Sequence, residues 1–259
     1  MRPKKSYGQN FLINESISQR IVEESLSFRS NDNILEVGPG KGALTKYFVK
    51  KEGLNFKAVE ADWDMVHHLQ QTLGLDENQL IQEDFLKLPL DRVYDREEYT
   101  VVGNFPYNIS SQILFRVDKY KDLVTGVIGM FQKEVAERIA ADPGSKKYGV
   151  TSVLIQASYT PKILFRVSPG SFFPVPKVQS AVLALKRKAN YTLPCSNSLF
   201  RTVVKTSFNQ RRKMIRNTLK PLIKDLSLYE LEVMSKRPEQ LSLDDFIQLT
   251  NTLETQTLS

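Results

Sequence analysis

Cysteine is almost absent. The 259-residue chain has one, Cys195, so no intrachain disulfide can form and no thiol cluster can hold zinc; a reducing compartment is the expectation. Histidine is nearly as scarce. His67 and His68 are adjacent, and neighbours on a helix point about 100° apart, so they make a poor chelating pair and are expected at a surface. No metal site is expected. No apolar run approaches the roughly 18 residues of a membrane span. Beyond Met1-Arg2-Pro3-Lys4-Lys5 only the short Phe11-Leu12-Ile13 follows, too brief for a signal-peptide core, and a cytoplasmic protein is expected.

The most informative scarcity is local. Between Pro143 and Lys224 there is no Asp or Glu at all, against 16 Lys or Arg, while the rest of the chain holds 20 basic and 29 acidic residues. The overall charge of +7 therefore hides a mildly acidic body carrying an 82-residue basic segment. At the chain-average frequency such a window would hold about nine acidic residues. A solvated lysine-rich surface is one explanation. The other is a segment that faces phosphates, where every carboxylate would repel the ligand.

What is present is a hydrophobic content of 41%, enough for a full core. Asn14 can cap a helix with an apolar face of Ile17, Ile21, Val22 and Leu26. Strands are expected at 33–37, 56–60, 79–82, 99–102 and 125–131, with helices at 63–73, 109–118, 132–141 and 149–159. Such alternation implies a parallel sheet covered on both faces, an α/β fold. The runs 162–167 and 178–185 have no helix between them and suggest an antiparallel pair closing the sheet edge. From about residue 189 the strands stop. Leu199, Phe200, Val203, Val204 and Phe208 form one helical stripe; Ser242-Leu243-Asp244-Asp245 opens a last helix with a capping-box pattern. The organisation expected is an α/β domain over 1–188 and a small helical domain over 189–259.

Gly38-x-Gly40-x-Gly42 follows a strand and precedes a helical stretch, where glycines let the backbone approach a ligand. Glu60 ends the second strand and can accept both hydroxyl protons of a ribose. Asp84 follows the third strand, where an acceptor could meet an adenine amino group while Phe85 packs on the ring. Together these describe an adenosine pocket at the carboxyl ends of parallel strands, for a dinucleotide or for S-adenosylmethionine. Asn104-Phe105-Pro106-Tyr107, just beyond the fourth strand, favours the second. An amide oxygen on Asn104 and a backbone carbonyl in the proline turn can accept the two amino protons of an adenine while Tyr107 stacks on it. Those bonds draw the nitrogen lone pair out of conjugation and let it attack a sulfonium methyl, catalysis by positioning that needs no metal or histidine.

Tyr7-Gly8-Gln9-Asn10-Phe11-Leu12, Glu36 to Thr45 (EVGPGKGALT), Asn104 to Ser110 (NFPYNIS) and Ser171 to Val182 (SFFPVPKVQSAV) resemble, in order and spacing, the rRNA adenine N6,N6-dimethyltransferase family. Ser207 to Lys213, Ile215 to Leu219 and Arg237 to Ser242 are similar to its bacterial small-subunit branch, so the resemblance spans nearly the whole chain. It implies a Rossmann-like class I methyltransferase domain, mostly parallel with an antiparallel edge, followed by a helical RNA- or ribosome-binding domain. The implied cofactor is S-adenosylmethionine. The implied partner is small-subunit rRNA in an assembling ribosomal subunit, with the protein a monomer and no membrane or metal involved.

By the same resemblance, Gln9, Asn10 and Leu12 help close the cofactor site, Gly38 and Gly40 contact the methionine moiety, Glu60 the ribose, and Asp84 the cofactor adenine. Asn104 and Tyr107 hold the target base, with Asn104 bordering the cofactor too, and Phe172 stacks on the base's other face. Phe105 departs from the usual leucine or isoleucine but leaves the backbone acceptors intact. The reaction implied is dimethylation of two adjacent adenosines near the 3′ end of small-subunit rRNA. The branch that modifies one adenosine in large-subunit rRNA, and a non-catalytic assembly or transcription factor on the same fold, are the alternatives. Arg211, Arg212, Lys213 and Arg216 fall in one helix-length stretch, and if that stretch is helical Arg212 and Arg216 share a face suited to a phosphate backbone.

Overall fold

The computed structural model describes residue 4 and residues 8–258; Tyr7 of the first quoted motif lies outside them. In chain order the elements are β1 (Phe11–Leu12), α1 (Glu15–Phe28), β2 (Asn33–Val37), α2 (Thr45–Phe48), β3 (Asn55–Glu60), α3 (Trp63–Leu73), β4 (Leu80–Gln82), β5 (Tyr99–Asn104), α4 (Ser110–Lys119), β6 (Val124–Gln132), α5 (Lys133–Ile139), α6 (Val150–Gln156), β7 (Tyr159–Val167), β8 (Phe172–Phe173), β9 (Ser180–Arg187), α7 (Asn197–Asn209), α8 (Ile215–Thr218) and α9 (Leu243–Leu258). Short 3₁₀ turns fill the stretch between α8 and α9.

Seven strands form one sheet in the order β4-β3-β2-β5-β6-β9-β7. The pairs from β4 to β6 are parallel, and β9 runs antiparallel to β6 from Gly126 opposite Lys186 to Gln132 opposite Ser180. This is the expected Rossmann-like α/β arrangement. β9, the last strand in sequence, lies between β6 and β7, so β7 forms the edge. The burial pattern explains the order. Every residue of β2 is buried, as is β5 up to Gly103, because helices cover both faces of a parallel sheet; in β7 only the two end residues are buried. Asn14 caps α1 as expected, its side-chain oxygen accepting the Ile17 N–H at 3.3 Å, and Ile21 and Val22 enter the core.

The chain divides into two compact units, one running to Ala136 together with Thr160–Arg187, the other Glu137–Tyr159 together with the residues from Lys188 on. The helical unit resumes at Lys188 but also takes in 137–159, a segment whose strand and helix alternation suggests the larger domain. Its links there are long-range ones that local periodicity cannot reveal. The Tyr148 ring meets Phe208 edge-on at 6.2 Å, Phe208 stacks on Phe246 at 5.9 Å, and the Gly144 N–H donates to the Glu239 carbonyl. In the same unit the capping box of α9 is reciprocal: Ser242 N–H donates to Asp245 Oδ2 at 2.8 Å and Asp245 N–H to Ser242 Oγ at 3.0 Å. Among the described residues no helix is long and apolar enough to cross a membrane.

Candidate functional site

A cleft of about 490 Å³ opens at the carboxyl ends of β2, β3 and β5 and beyond β4, lined by the segment 8–12, the loop after β2, Glu60, Asp84, Phe85 and the loop 104–109. Gly40 and Gly42 hold left-handed backbone there, with φ of +54° and +81°. The left-handed backbone favours glycine at both positions, and a Cβ would crowd the Phe11 ring at 3.2 Å from Gly40 and the Leu73 side chain at 2.9 Å from Gly42. The helix that follows is short, Thr45–Phe48, and the loop amides turn inward rather than to a helix N-terminus. Gly38 N–H donates to the Val59 carbonyl at 2.9 Å and Gly40 N–H to Glu60 Oε2 at 3.1 Å.

Two carboxyl groups stand beside this loop. Glu60 is 8% exposed; its other oxygen accepts the Asp62 N–H at 2.9 Å, and burial raises its pKa against those backbone bonds. Glu36, 2% exposed, accepts the Thr45 hydroxyl at 2.7 Å. Burial, reinforced by the charge of Glu60 and opposed by Thr45, pushes Glu36 up to about 8. Glu36 is part of the quoted glycine-loop motif, yet no role was read for it from the sequence, because a strand-interior glutamate looks like any other until its burial is known. Asp84 Oδ1 accepts the Leu86 N–H at 2.9 Å, an Asx turn that leaves Phe85 buried against the cleft.

The N-terminal segment is tied down beside them. Gln9 Nε2 donates to Asp62 Oδ2 at 2.9 Å, and Lys4 Nζ bridges Asp62 at 2.6 Å and Asp64 at 2.7 Å. Burial alone would raise Asp62, but Lys4 and Gln9 hold it below the usual aspartate value. Asn10 offers its carbonyl to Asn104 Nδ2 at 2.9 Å. A carbonyl can only accept, so this contact fixes which end of the amide faces it and leaves Asn104 Oδ1 pointing elsewhere as an acceptor.

Tyr107 is half-buried, and its hydroxyl bonds Ser180 Oγ at 2.6 Å; burial raises it while Ser180 opposes the rise. Ser180 opens β9 and is fully buried, a supporting partner that the motif Val178-Gln179-Ser180 contains but whose contact needs the fold. Phe105 borders the cleft as well, but it is only 1% exposed and packs edge-on against Phe131, ring centres 5.2 Å apart. A Cβ at Gly129 would lie 2.2 Å from its ring and one at Gly103 2.7 Å, so two glycines make room for this larger side chain.

Gln9, Asn10, Leu12, Gly38, Gly40, Glu60, Asp84, Phe85, Asn104 and Tyr107 therefore all come together at one cleft. Phe172 does not. It is 1% exposed within the core cluster and absent from the cleft lining, because alternation in β8 turns it inward and leaves Phe173 55% exposed. Arg211, Arg212, Lys213 and Arg216 belong to the helical unit, and the shared helical face does not exist: α7 ends at Asn209, 211–213 form a turn, and α8 starts at Ile215. Arg211 is committed to the Ser145 carbonyl at 3.2 Å and to Glu239; Arg212 and Lys213 are exposed, as is Arg216, whose Nε donates to the Met234 carbonyl at 3.4 Å. Among the described residues no group of three or more His, Cys, Asp or Glu is placed to hold a metal ion.

The family model of ribosomal RNA adenine dimethylase matches residues 1–255. The ribosomal RNA small subunit methyltransferase A of Flavobacterium johnsoniae is 48% identical over 254 residues, covering 98% of this chain and 97% of that protein. The protein of the same name from Bacteroides thetaiotaomicron is 49% identical over 255 residues, 98% of this chain and 95% of that one. Among solved structures, a dimethyladenosine transferase from Plasmodium falciparum superposes with a TM-score of 0.80 over 95% of this chain and 98% of that one, at 23% identity, a likeness of fold.

Proposed function

The chain belongs to the ribosomal RNA adenine dimethylase family, and on that premise we propose that its cleft takes S-adenosylmethionine on the glycine-loop side and an adenine of small-subunit rRNA on the Asn104–Tyr107 side. The chain is an rRNA adenine dimethyltransferase of the small-subunit type, like the relatives that match it end to end. The observation that carries the site reading is the Asn104 amide: with Nδ2 held by the Asn10 carbonyl, Oδ1 is preset as an acceptor at the edge of the cleft.

The donor set suits the cofactor. Glu60 keeps lone pairs for a ribose diol beyond the two backbone N–H groups it already accepts, and Asp84 with Phe85 supplies an acceptor beside an apolar ring. Gly38 and Gly40 admit the methionine part, and Gln9, Asn10 and Leu12 close over it. A cationic ligand in the cleft would draw the proton from Glu36. Bound S-adenosylmethionine supplies the electrophilic sulfonium methyl. Asn104 Oδ1 and a backbone carbonyl of the Pro106 turn accept the adenine amino protons and localise the lone pair on the nitrogen, while Tyr107, steadied by Ser180, stacks on the base.

The finer reading is that two adjacent adenosines near the 3′ end are dimethylated in an assembling subunit, in the cytoplasm, by a monomer. The helical unit binds the RNA outside the cleft through Arg212, Lys213 and Arg216, with Arg211 bracing their turn. Incubation with labelled S-adenosylmethionine and unmethylated small or large subunits, followed by nucleoside analysis, tests this. The expected product is N6,N6-dimethyladenosine in small-subunit rRNA; label only in large-subunit rRNA would overturn it.

A further inference from the structure

The pairing of β1 with β8 sets Phe11 opposite Phe173 and Leu12 opposite Phe172. Directly opposed residues of an antiparallel pair point to the same face, and successive residues to opposite faces. Leu12 and Phe172 share the core cluster, so Phe11 and Phe173 share the other face. That face borders the cleft: the Phe11 ring lies against Gly40, and Lys41 Nζ stands 4.9 Å from the ring centre. Phe11 is covered, but Phe173 is 55% exposed and is not among the residues lining the cleft.

Phe173 has apolar company. Ile13, whose N–H donates to the Ser171 carbonyl, is 58% exposed, Val175 64% and Val178 43%. These are four of the eight large hydrophobic side chains most exposed among the described residues, gathered on two short segments. A single exposed hydrophobe needs no explanation, but an exposed aromatic with exposed aliphatic residues nearby in sequence, paired in the strand register to a residue that lines the cleft, does. Lys177 is exposed between Val175 and Val178, and the whole loop lies in the stretch 143–224 that holds no carboxylate. Apolar faces flanked by cations, with acids excluded, match a stacked nucleobase and its phosphate.

We propose that Phe173 is a positioning residue that stacks on the nucleotide next to the target adenosine, a reading that rests on the rRNA substrate proposed above. A base entering the cleft must leave its stack, which uncovers a face of its neighbour. The target already meets Tyr107 inside the cleft, whereas Phe173 stands outside the lining, so the base it receives is the neighbour. Ile13 and Val175 border that base, and Lys177 meets the phosphate.

Phe173→Ala, Phe173→Leu and Phe173→Trp are compared with wild type in methyl transfer to unmethylated small subunits at varied subunit concentration, with calorimetric cofactor binding and thermal melts alongside. The expected result is a KM for subunits raised about tenfold by Ala and by Leu, near wild type for Trp, and unchanged cofactor affinity and melting. A Leu variant as good as wild type would mean apolar contact rather than stacking, and an unchanged KM in all three would mean no contact; either overturns the proposal. Failure of the wild type to methylate small subunits would instead overturn the functional reading and this inference with it.

Discussion

Replacing Glu36 with glutamine should change how stability depends on pH. The side chain is 2% exposed, and its folded-state pKa of about 8 compares with 4.5 for the unperturbed group. Between those values the folded chain holds a proton that the unfolded chain has released, so stability falls as pH rises, by about 1.4 kcal/mol per unit. From pH 5 to 8 Glu36 alone should remove about 4 kcal/mol, with little further change at higher pH. Glutamine keeps an oxygen for the Thr45 hydroxyl but buries an NH₂, a pH-independent cost of about 1–3 kcal/mol. Glu36→Gln should therefore be less stable than wild type at pH 5 and more stable at pH 8, the curves crossing between. Denaturant unfolding of the ligand-free protein at half-unit steps of pH measures both. Glu60, also raised by burial, leaves a slope of the same sign in both proteins, so the difference between them reports Glu36 together with its coupling to Glu60. Parallel curves would refute the reasoning, because they would mean that Glu36 titrates alike in the folded and unfolded chain.

Asn104→Ala should lower methyl transfer by roughly 10²- to 10³-fold with cofactor affinity less affected, and Glu60→Ala should mainly weaken cofactor binding; single-turnover rates with calorimetry separate the two, and equal effects on both quantities would undo the assignment. Ser180→Ala and Tyr107→Phe should each slow transfer about tenfold and, combined, cost little more than either alone, since both break one hydrogen bond; full additivity in a double-mutant cycle would contradict that coupling. Gly129→Ala drives a methyl into Phe105 and Phe131 and should destabilise by about 1–3 kcal/mol, with partial recovery when Phe105→Leu is added; denaturation of the single and double variants checks it. Neutralising Arg212 or Arg216 should reduce the magnitude of the log–log salt slope of RNA binding by about one per lost phosphate contact and leave cofactor affinity alone; salt curves parallel to wild type would argue against any contact.

Short-range signals were enough for much of this molecule. Alternation of apolar runs with amphipathic stretches marked the strands of the parallel core, because a strand covered on both faces is mostly apolar. Asn14, the glycine spacing and the Ser242-Asp245 box declared their local geometry, since capping and left-handed backbone depend on residues within a turn of one another. The cleft residues were legible as a set because parallel strands deliver their carboxyl ends to one side of a sheet.

Tertiary packing decided what depends on partners far away in the chain. Phe172 and Phe173 are chemically equal neighbours, and only the register of β8 against β1 turns one into the core and the other out. The break at 210–214 undid the helical face expected for Arg212 and Arg216, although the basic composition of the stretch is as read. The segment 137–159 joined the helical unit through contacts of Tyr148 and Gly144 some 60 to 95 residues away in sequence. Burial in the sheet, with the charge of Glu60 beside it, pushes the Glu36 carboxyl up to about 8 against the opposing Thr45 hydrogen bond. Sequence by itself determined which chemical groups this chain carries and which local turns and periodicities it obeys, since those rest on interactions a few residues long. Which side chain is buried, which end of the Asn104 amide the Asn10 carbonyl holds and which carboxyl has its pKa raised were decided by the folded structure, because desolvation and hydrogen-bond direction exist only once distant segments meet.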